Sequence, residues 1–342
     1  MNEADHMNVP GDDRSPKGFG GLIPVLLLLI FLGGSLGIFF LVRTPPEQEI
    51  RVTAVIKAIA NDSEFWEVLK TGMRAGATEF GLRLDIQGPW AESDVDGQIR
   101  IVENILATDP PTVLVLAAAD YTRLAPLVEK AVSMGVKVIA MDSGVDSSLP
   151  HTFVATDNVE GGGKVAVEMI RILEPGRKLA ILSHVRGTTT AIDRERGVRE
   201  VLEKDGRYPI LGTWFTDNFA DRAYAITMEL LKEYPDLGGI LTMNEISTIG
   251  AAQALLDSGA AGKVRLVGFD NPLGRINLIE EGIIAAVVIQ KPFNMGYLAV
   301  RAARDAAENR SLPPFIDTGS VLITAENLYE PENQKLLFPF VD

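Results

Sequence analysis

Apolar residues recur along this chain with two periods. From residue 50 to about 290, short runs rich in Val, Ile and Leu alternate with longer stretches whose apolar positions return every three or four residues. The runs at 51–59, 83–87, 112–117, 137–141, 178–183, 210–214, 239–243, 264–269 and 284–289 predict strands, because continuous β-branched segments suit a parallel sheet covered on both faces. The stretches at 63–80, 95–107, 124–134, 163–173, 193–203, 221–234, 246–259 and 273–281 predict helices. In the first of these, Phe65, Val68, Leu69, Met73 and Ala77 share one face. Two successive sets of strand–helix units predict an α/β fold of two doubly wound parallel-sheet lobes.

A different pattern precedes them. Residues 18–42 carry no charge, and as a helix they would span roughly 37 Å, enough for a bilayer core of about 30 Å. A cleavable signal peptide has a shorter apolar region, roughly 7–15 residues, ending in an A-x-A-like site. Here no alanine lies between Ala4 and Ala54. One uncleaved transmembrane anchor is therefore expected, preceded by a short polar tail (1–17) and followed by a linker (43–49) stiffened by Pro45 and Pro46. Arg14 and Lys17 before the span are balanced by Arg43 and Arg51 after it, so flanking charge does not set the orientation.

Composition removes several function classes. The formal net charge of −14 repels phosphate backbones, so no nucleic-acid partner is expected. Cysteine is absent, which excludes disulfides, thiolate metal sites and a lipidated cysteine. With only His6, His151 and His184, neither a metal site nor any other cofactor is expected.

In open α/β sheets ligands sit outside the carboxyl ends of the strands. Those positions hold Asn61 to Trp66, Ala117 to Asp120, Asp142-Ser143, Arg186 to Arg194, Phe219, Asn244-Glu245, Asp270-Asn271 and Gln290. Carboxylates accept from vicinal hydroxyls, arginine and carboxamides donate to them, and aromatic rings cover apolar C–H faces. The mixture suits a polyhydroxylated ring. The glycines of "DNVEGGGKVA" could instead suggest a phosphate cradle. That loop requires a hydroxyl residue after its lysine, and Val165 follows Lys164 here, with Glu160 where phosphate would sit. No nucleophile–base pair, GxSxG or HExxH pattern is present, so no enzyme is expected.

The segments "NDSEFW", "VIAMDSG", "FVATDNVEGGGKVA", "GTTTAIDRERGV", "MNEISTIGAAQAL", "LVGFDN" and "IAAVVIQKPFNMG", in order over about residues 50–315, resemble the periplasmic (type I) sugar-binding protein family. The likeness is to its ribose/galactose-binding group, relatives of the lac-repressor ligand domain. A repressor would need an N-terminal helix-turn-helix, where this chain has its apolar span. The resemblance implies two lobes, 50–156 plus 291–319 and 157–290 plus 320–342, joined by a hinge. It implies that Phe65 and Trp66 stack on a sugar ring and that Asp142, Arg194, Asn244, Asp270 and Gln290 bond its hydroxyls, with Phe219 covering it from the second lobe.

Structural roles compete with these. Phe65 and Trp66 could be helix core, Asp142 and Asp270 helix caps, and the charges of 193–197 a solvated helix face, with Arg196 structural. His151 and His184 read as ordinary polar residues. Ala117 and Ser143 stand where ribose binders carry asparagine and arginine, which argues against ribose itself. The function implied is a membrane-anchored extracytoplasmic solute-binding protein that takes a monosaccharide or related polyol for an ABC-type importer, with a membrane permease as partner. The alternative is a ligand sensor beside a membrane histidine kinase or chemoreceptor. Either places the domain outside the cytoplasm on a single-pass anchor.

Overall fold

The computed structural model describes residues 24, 27–31, 49–59, 64–270 and 276–338. Residues 1–49 form a unit of their own. In it residues 27–31 are helical and exposed, and the remainder of the span expected over 18–42, apart from residue 24, lies outside the described residues. Among the described residues no helix is long and apolar enough to cross a membrane.

The second unit contains two six-stranded sheets. The first is built from β1 (Arg51–Val55), β2 (Arg83–Gln87), β3 (Val113–Leu116), β4 (Lys137–Met141), β5 (Phe153–Ala155) and β11 (Phe315–Asp317) in the order β11-β5-β4-β3-β1-β2. The second uses β6 (Lys178–Ser183), β7 (Ile210–Phe215), β8 (Leu237–Thr242), β9 (Arg265–Phe269), β10 (Ala286–Gln290) and β12 (Ser320–Thr324) in the order β12-β10-β9-β8-β6-β7. Apart from the antiparallel edge β12, every pairing is parallel. Read from one edge, both sheets have the same winding.

Parallel strands are buried on both faces, and β3 shows how one run serves two cores. Val113 and Val115 face α1 (Glu64–Phe80) and α9 (Pro292–Ala307). Leu114 and Leu116 face α2 (Val95–Thr108) and α3 (Ala125–Ser133). In the second lobe α4 (Asn158–Ile172) and α5 (Thr189–Asp205) cover one face. The other face lies under α6 (Ala220–Glu233) and α7 (Glu245–Asp257). Two short helices, α8 (Asn277–Glu280) and α10 (Pro331–Leu337), complete the lobe.

The glycine run lies inside α4, which starts five residues earlier than the periodicity predicts. Asp157 caps it by accepting from the Glu160 N–H at 2.9 Å. A Cβ on Gly161 would stand 2.8 Å from the Phe269 ring, and one on Gly162 would overlap the Arg194 carbonyl oxygen. Gly161 thus permits close contact with a strand residue, and Gly162 permits contact of helix against helix. Lys164 reaches the Ser320 carbonyl at 2.9 Å and Glu160 at 3.2 Å.

Among the described residues the chain passes between the sheets at three places: from β5 to α4, from β10 to α9, and from β11 to β12. The first and third strands of this hinge are tied together. Thr156 and Thr318 hydroxyls lie 3.3 Å apart, and the Asp157 N–H donates to Asp317 Oδ1 at 3.1 Å. The lobes also meet on the far side of the cleft. Tyr121 N–H donates to the Gly187 carbonyl at 2.8 Å, and Gly144 N–H to Thr189 Oγ1 at 2.8 Å.

Candidate functional site

The carboxyl ends of both sheets face each other across the cleft and enclose a narrow polar chamber of about 30 Å³. Its walls include Phe65 and Trp66 from α1, Asp142 after β4, Arg194 from α5, Asn244 after β8, Asp270 after β9 and Gln290 at the end of β10. Seven of the eight residues implied by the resemblance thus converge.

Phe219 does not line the chamber. It is 52% exposed and precedes α6 without a side-chain cap. Asp217 and Asn218 both take left-handed φ angles, 51° and 62°, and this turn carries Asn218 into the chamber wall while Phe219 faces outward. Asn and Asp tolerate that conformation because their short side chains can bond locally.

Two carboxylates organise the chamber, each beside a cation. Asp142 Oδ2 lies 2.8 Å from Lys57 Nζ, and the Ser143 hydroxyl bridges the pair, accepting from Lys57 at 2.9 Å and donating to Asp142 at 3.2 Å. Asp270 accepts from Gln290 Nε2 at 2.8 Å and sits 3.6 Å from Arg194 Nη1. Burial raises the Asp270 carboxyl above its ordinary range, opposed chiefly by Arg194. Arg194 is itself held on all sides. Its Nε donates to Asn158 Oδ1 at 2.8 Å, its Nη1 to the Met243 carbonyl at 2.6 Å, and its guanidinium lies 4.1 Å over the Phe269 ring. Nη2 carries no hydrogen bond among the described residues and is the edge available to a ligand.

The competing structural roles are partly realised. Asn244 is the N-cap of α7, accepting from the Ser247 N–H at 3.2 Å, and it also donates to Asn218 at 2.6 Å in the wall. Trp66 belongs to the core and to the chamber at once. It is 2% exposed and packs edge-on to Phe65, with ring centres 5.0 Å apart, and its Nε1 donates to Glu92 at 2.7 Å. Neither Asp142 nor Asp270 caps a described helix. Arg196 points away, pairing with Asp193 at 2.9 Å on the surface.

Six wall residues lie outside the set implied by the resemblance: Lys57, Glu92, His184, Thr190, Asn218 and Glu245. Lys57 was visible as the one charge in the apolar "VTAVIKAIA". Glu92 comes from the loop after β2, whose composition carries no signal. Burial raises the Glu92 carboxyl, opposed chiefly by Lys57. His184 follows β6 directly, the same placement that marked the other candidates, and was set aside as an ordinary polar residue. Burial, then Lys57 and Arg194, hold its imidazole well below the usual range.

Residues 54–311 match the family profile of the periplasmic binding protein domain. The chain belongs to this family. It is 28% identical over 273 residues to the D-ribose/D-allose-binding protein of Pseudomonas aeruginosa, covering 77% of this chain and 83% of that one. To the D-allose-binding periplasmic protein of Escherichia coli it is 25% identical, covering 79% and 90%. Its structure resembles that of a carbohydrate transporter solute binding protein from Agrobacterium radiobacter in complex with D-arabinose. There the TM-score is 0.80 at 26% identity, over 85% of this chain and 99% of that one. A solute binding protein of an ABC transporter from Agrobacterium vitis with bound D-fucose gives 0.80 at 28% identity, over 84% and 99%. The likeness read from the sequence motifs is borne out, as is the two-lobed α/β fold. These relatives of the periplasmic binding protein are transporter solute-binding proteins, not enzymes.

Proposed function

We propose that this periplasmic binding protein captures a neutral monosaccharide-like polyol between its lobes and delivers it to the permease of an ABC-type importer. The observation that carries the reading is the paired arrangement in the chamber. Each lobe contributes a buried carboxylate at a strand end, with a cation beside it and aromatic rings from α1 along the wall. Ionised carboxylates accept hydroxyl hydrogens strongly, and acids outnumber bases, which disfavours an anionic ligand. Ligand contacts split between two lobes stabilise only the closed state, so binding and closure are one equilibrium. Residues 18–42 would tether the domain, with the sugar-binding lobes outside the cytoplasm.

The names of the relatives supply the test panel: D-allose, D-ribose, D-arabinose and D-fucose. Calorimetric titration of the full chain in detergent should give saturable binding of at least one, with a rise in melting temperature through mass action. If none binds or stabilises, the sugar reading is wrong. Fractionation from a bacterial host tests the tether. The chain should sediment with membranes and keep its N-terminus, and a mature N-terminus beyond residue 42 would refute an uncleaved anchor.

A further inference from the structure

Most polar atoms in the chamber wall are already spent on protein partners. Lys57 Nζ holds Asp142 and Ser143, Trp66 Nε1 holds Glu92, and Asn244 Nδ2 holds Asn218. Two are not spent. Gln290 Oε1 and His184 Nδ1 are buried without a hydrogen-bond partner among the described residues. Such atoms are rare and costly in folded proteins, and in a wall they mark where a ligand completes the bonding.

His184 lines the chamber from the second lobe and is 2% exposed. Its Nε2 is engaged, 2.9 Å from Thr190 Oγ1 and 3.3 Å from Thr188 Oγ1. Thr190 Oγ1 in turn accepts from Lys57 of the first lobe at 3.4 Å. The ring is thus oriented by its own lobe and braced across the cleft, leaving Nδ1 as the unused nitrogen. The charges of Lys57 and Arg194 in the same wall both act to keep it uncharged. A neutral imidazole nitrogen donates to or accepts from a hydroxyl, and the carboxyls of Glu92, Asp142 and Asp270 in the same wall exclude an anionic partner.

We propose that His184 Nδ1 hydrogen-bonds a hydroxyl of the bound sugar and so helps to select among sugar stereoisomers. This contact rests on the sugar-binding reading. It adds a discriminating group from the second lobe to the chamber wall.

Two substitutions separate the ring nitrogens. His184→Asn keeps a polar atom near the position of Nδ1, whereas His184→Gln keeps one near Nε2, within reach of Thr190. Each full-length variant is titrated with D-allose, D-ribose, D-arabinose and D-fucose, and its melting temperature is recorded. His184→Gln should weaken the preferred sugar at least tenfold and change the order of preference, while His184→Asn stays within about threefold of the parent. Equal affinities for parent and His184→Gln, or a larger loss in His184→Asn, would overturn the proposal. If a variant does not fold, the parent decides. The chain has three histidines, so the His184 ring nitrogens can be followed by NMR, and saturation with sugar must shift Nδ1. A stationary Nδ1 signal overturns the contact alone, and a parent that binds none of the four sugars overturns the sugar reading and this contact with it.

Discussion

Asp142 and Asp270 occupy the same place in the two lobes. Counted from the β11 and β12 edges, each follows the third strand, β4 or β9, and each turns the chain with a left-handed φ, 58° and 65°. The backbone conformation is one that non-glycine residues seldom adopt, and here it presents a carboxylate from each sheet to one chamber. The cations beside them differ in support. Lys57 has Asp142 and two hydroxyls, whereas Arg194 has Asp270, Asn158 and the Met243 carbonyl.

That difference predicts unequal costs for matched substitutions. Asp142→Asn leaves the buried Lys57 without its close counter-charge and should cost about 3–5 kcal/mol, the range for breaking a buried pair. Asp270→Asn removes a carboxyl already burdened by burial, from an arginine with two other acceptors, and should cost less than half as much. Both should weaken sugar binding roughly a hundredfold, since charge-assisted bonds contribute about 1.5–3 kcal/mol each. Urea unfolding and calorimetry read the two effects separately. A larger stability loss in Asp270→Asn would contradict the assignment of Lys57 as the more dependent cation.

Arg194 and Arg196 lie two residues apart on α5 and should behave differently in both stability and binding. Arg194→Ala should abolish measurable binding and also lower stability by about 3 kcal/mol or more, because it strips a buried acceptor set of its donor. Arg194→Lys should rescue poorly, since an ammonium cannot span Asn158 and the Met243 carbonyl as the planar fork does. Arg196→Ala should leave affinity intact and change stability by under about 1 kcal/mol, as an exposed pair contributes little. The structural role expected for Arg196 from the sequence thus reduces to a surface ion pair with Asp193. Sugar affinity retained in Arg194→Ala would move the binding site elsewhere.

The parts legible in the sequence were those set by a single local rule. Continuous Val/Ile runs revealed β3, β4, β6 and β8 because both faces of those strands are buried. The strand-end rule then led to Asp142, Asp270 and Gln290. Phe219 failed because one turn, Asp217-Asn218, decides which of two neighbouring residues faces inward, and periodicity carries no record of a left-handed turn. Glu92 was invisible because its loop reaches the chamber only through tertiary packing. Residues 292–324 were left without element assignments because the buried face of α9 is mostly small, with Gly296, Ala299, Ala302, Ala303 and Ala306 beside only Met295 and Val300.

The glycine run offers a sharp contrast between adjacent positions. A Cβ on Gly162 would overlap the Arg194 carbonyl oxygen, while one on Gly163 would meet only Val201 at 3.6 Å, an ordinary contact. Gly162→Ala should force α4 and α5 apart, costing about 2–3 kcal/mol and disturbing Arg194, hence sugar affinity. Gly163→Ala should be neutral or stabilise by up to about 1 kcal/mol, because alanine favours the helix. Thermal unfolding of the two variants checks this. Equal effects would mean that the glycines are not there for helix contact.

Acid should destabilise the fold through His184. With its imidazole held well below the usual range by burial, Lys57 and Arg194, the folded chain binds fewer protons than the unfolded chain once pH falls below about 6.5. The stability associated with the neutral ring is therefore complete above that pH and is lost as pH falls toward the depressed folded value. Glu92 and Asp270 act in the opposite sense. Burial raises both, so their folded forms retain protons that the unfolded chain releases, and stability is lost as pH rises through their raised values. The net profile mixes these contributions, so the useful quantity is the difference between parent and His184→Gln. From pH 7.5 to 6.5 that difference should change little. Between pH 6.5 and 5.5 the parent should lose up to about 1.4 kcal/mol relative to the variant, the limit for one proton per pH unit. Urea unfolding of both proteins at the three pH values measures it. A constant difference would mean that burial and the charges of Lys57 and Arg194 do not depress His184 in the folded chain.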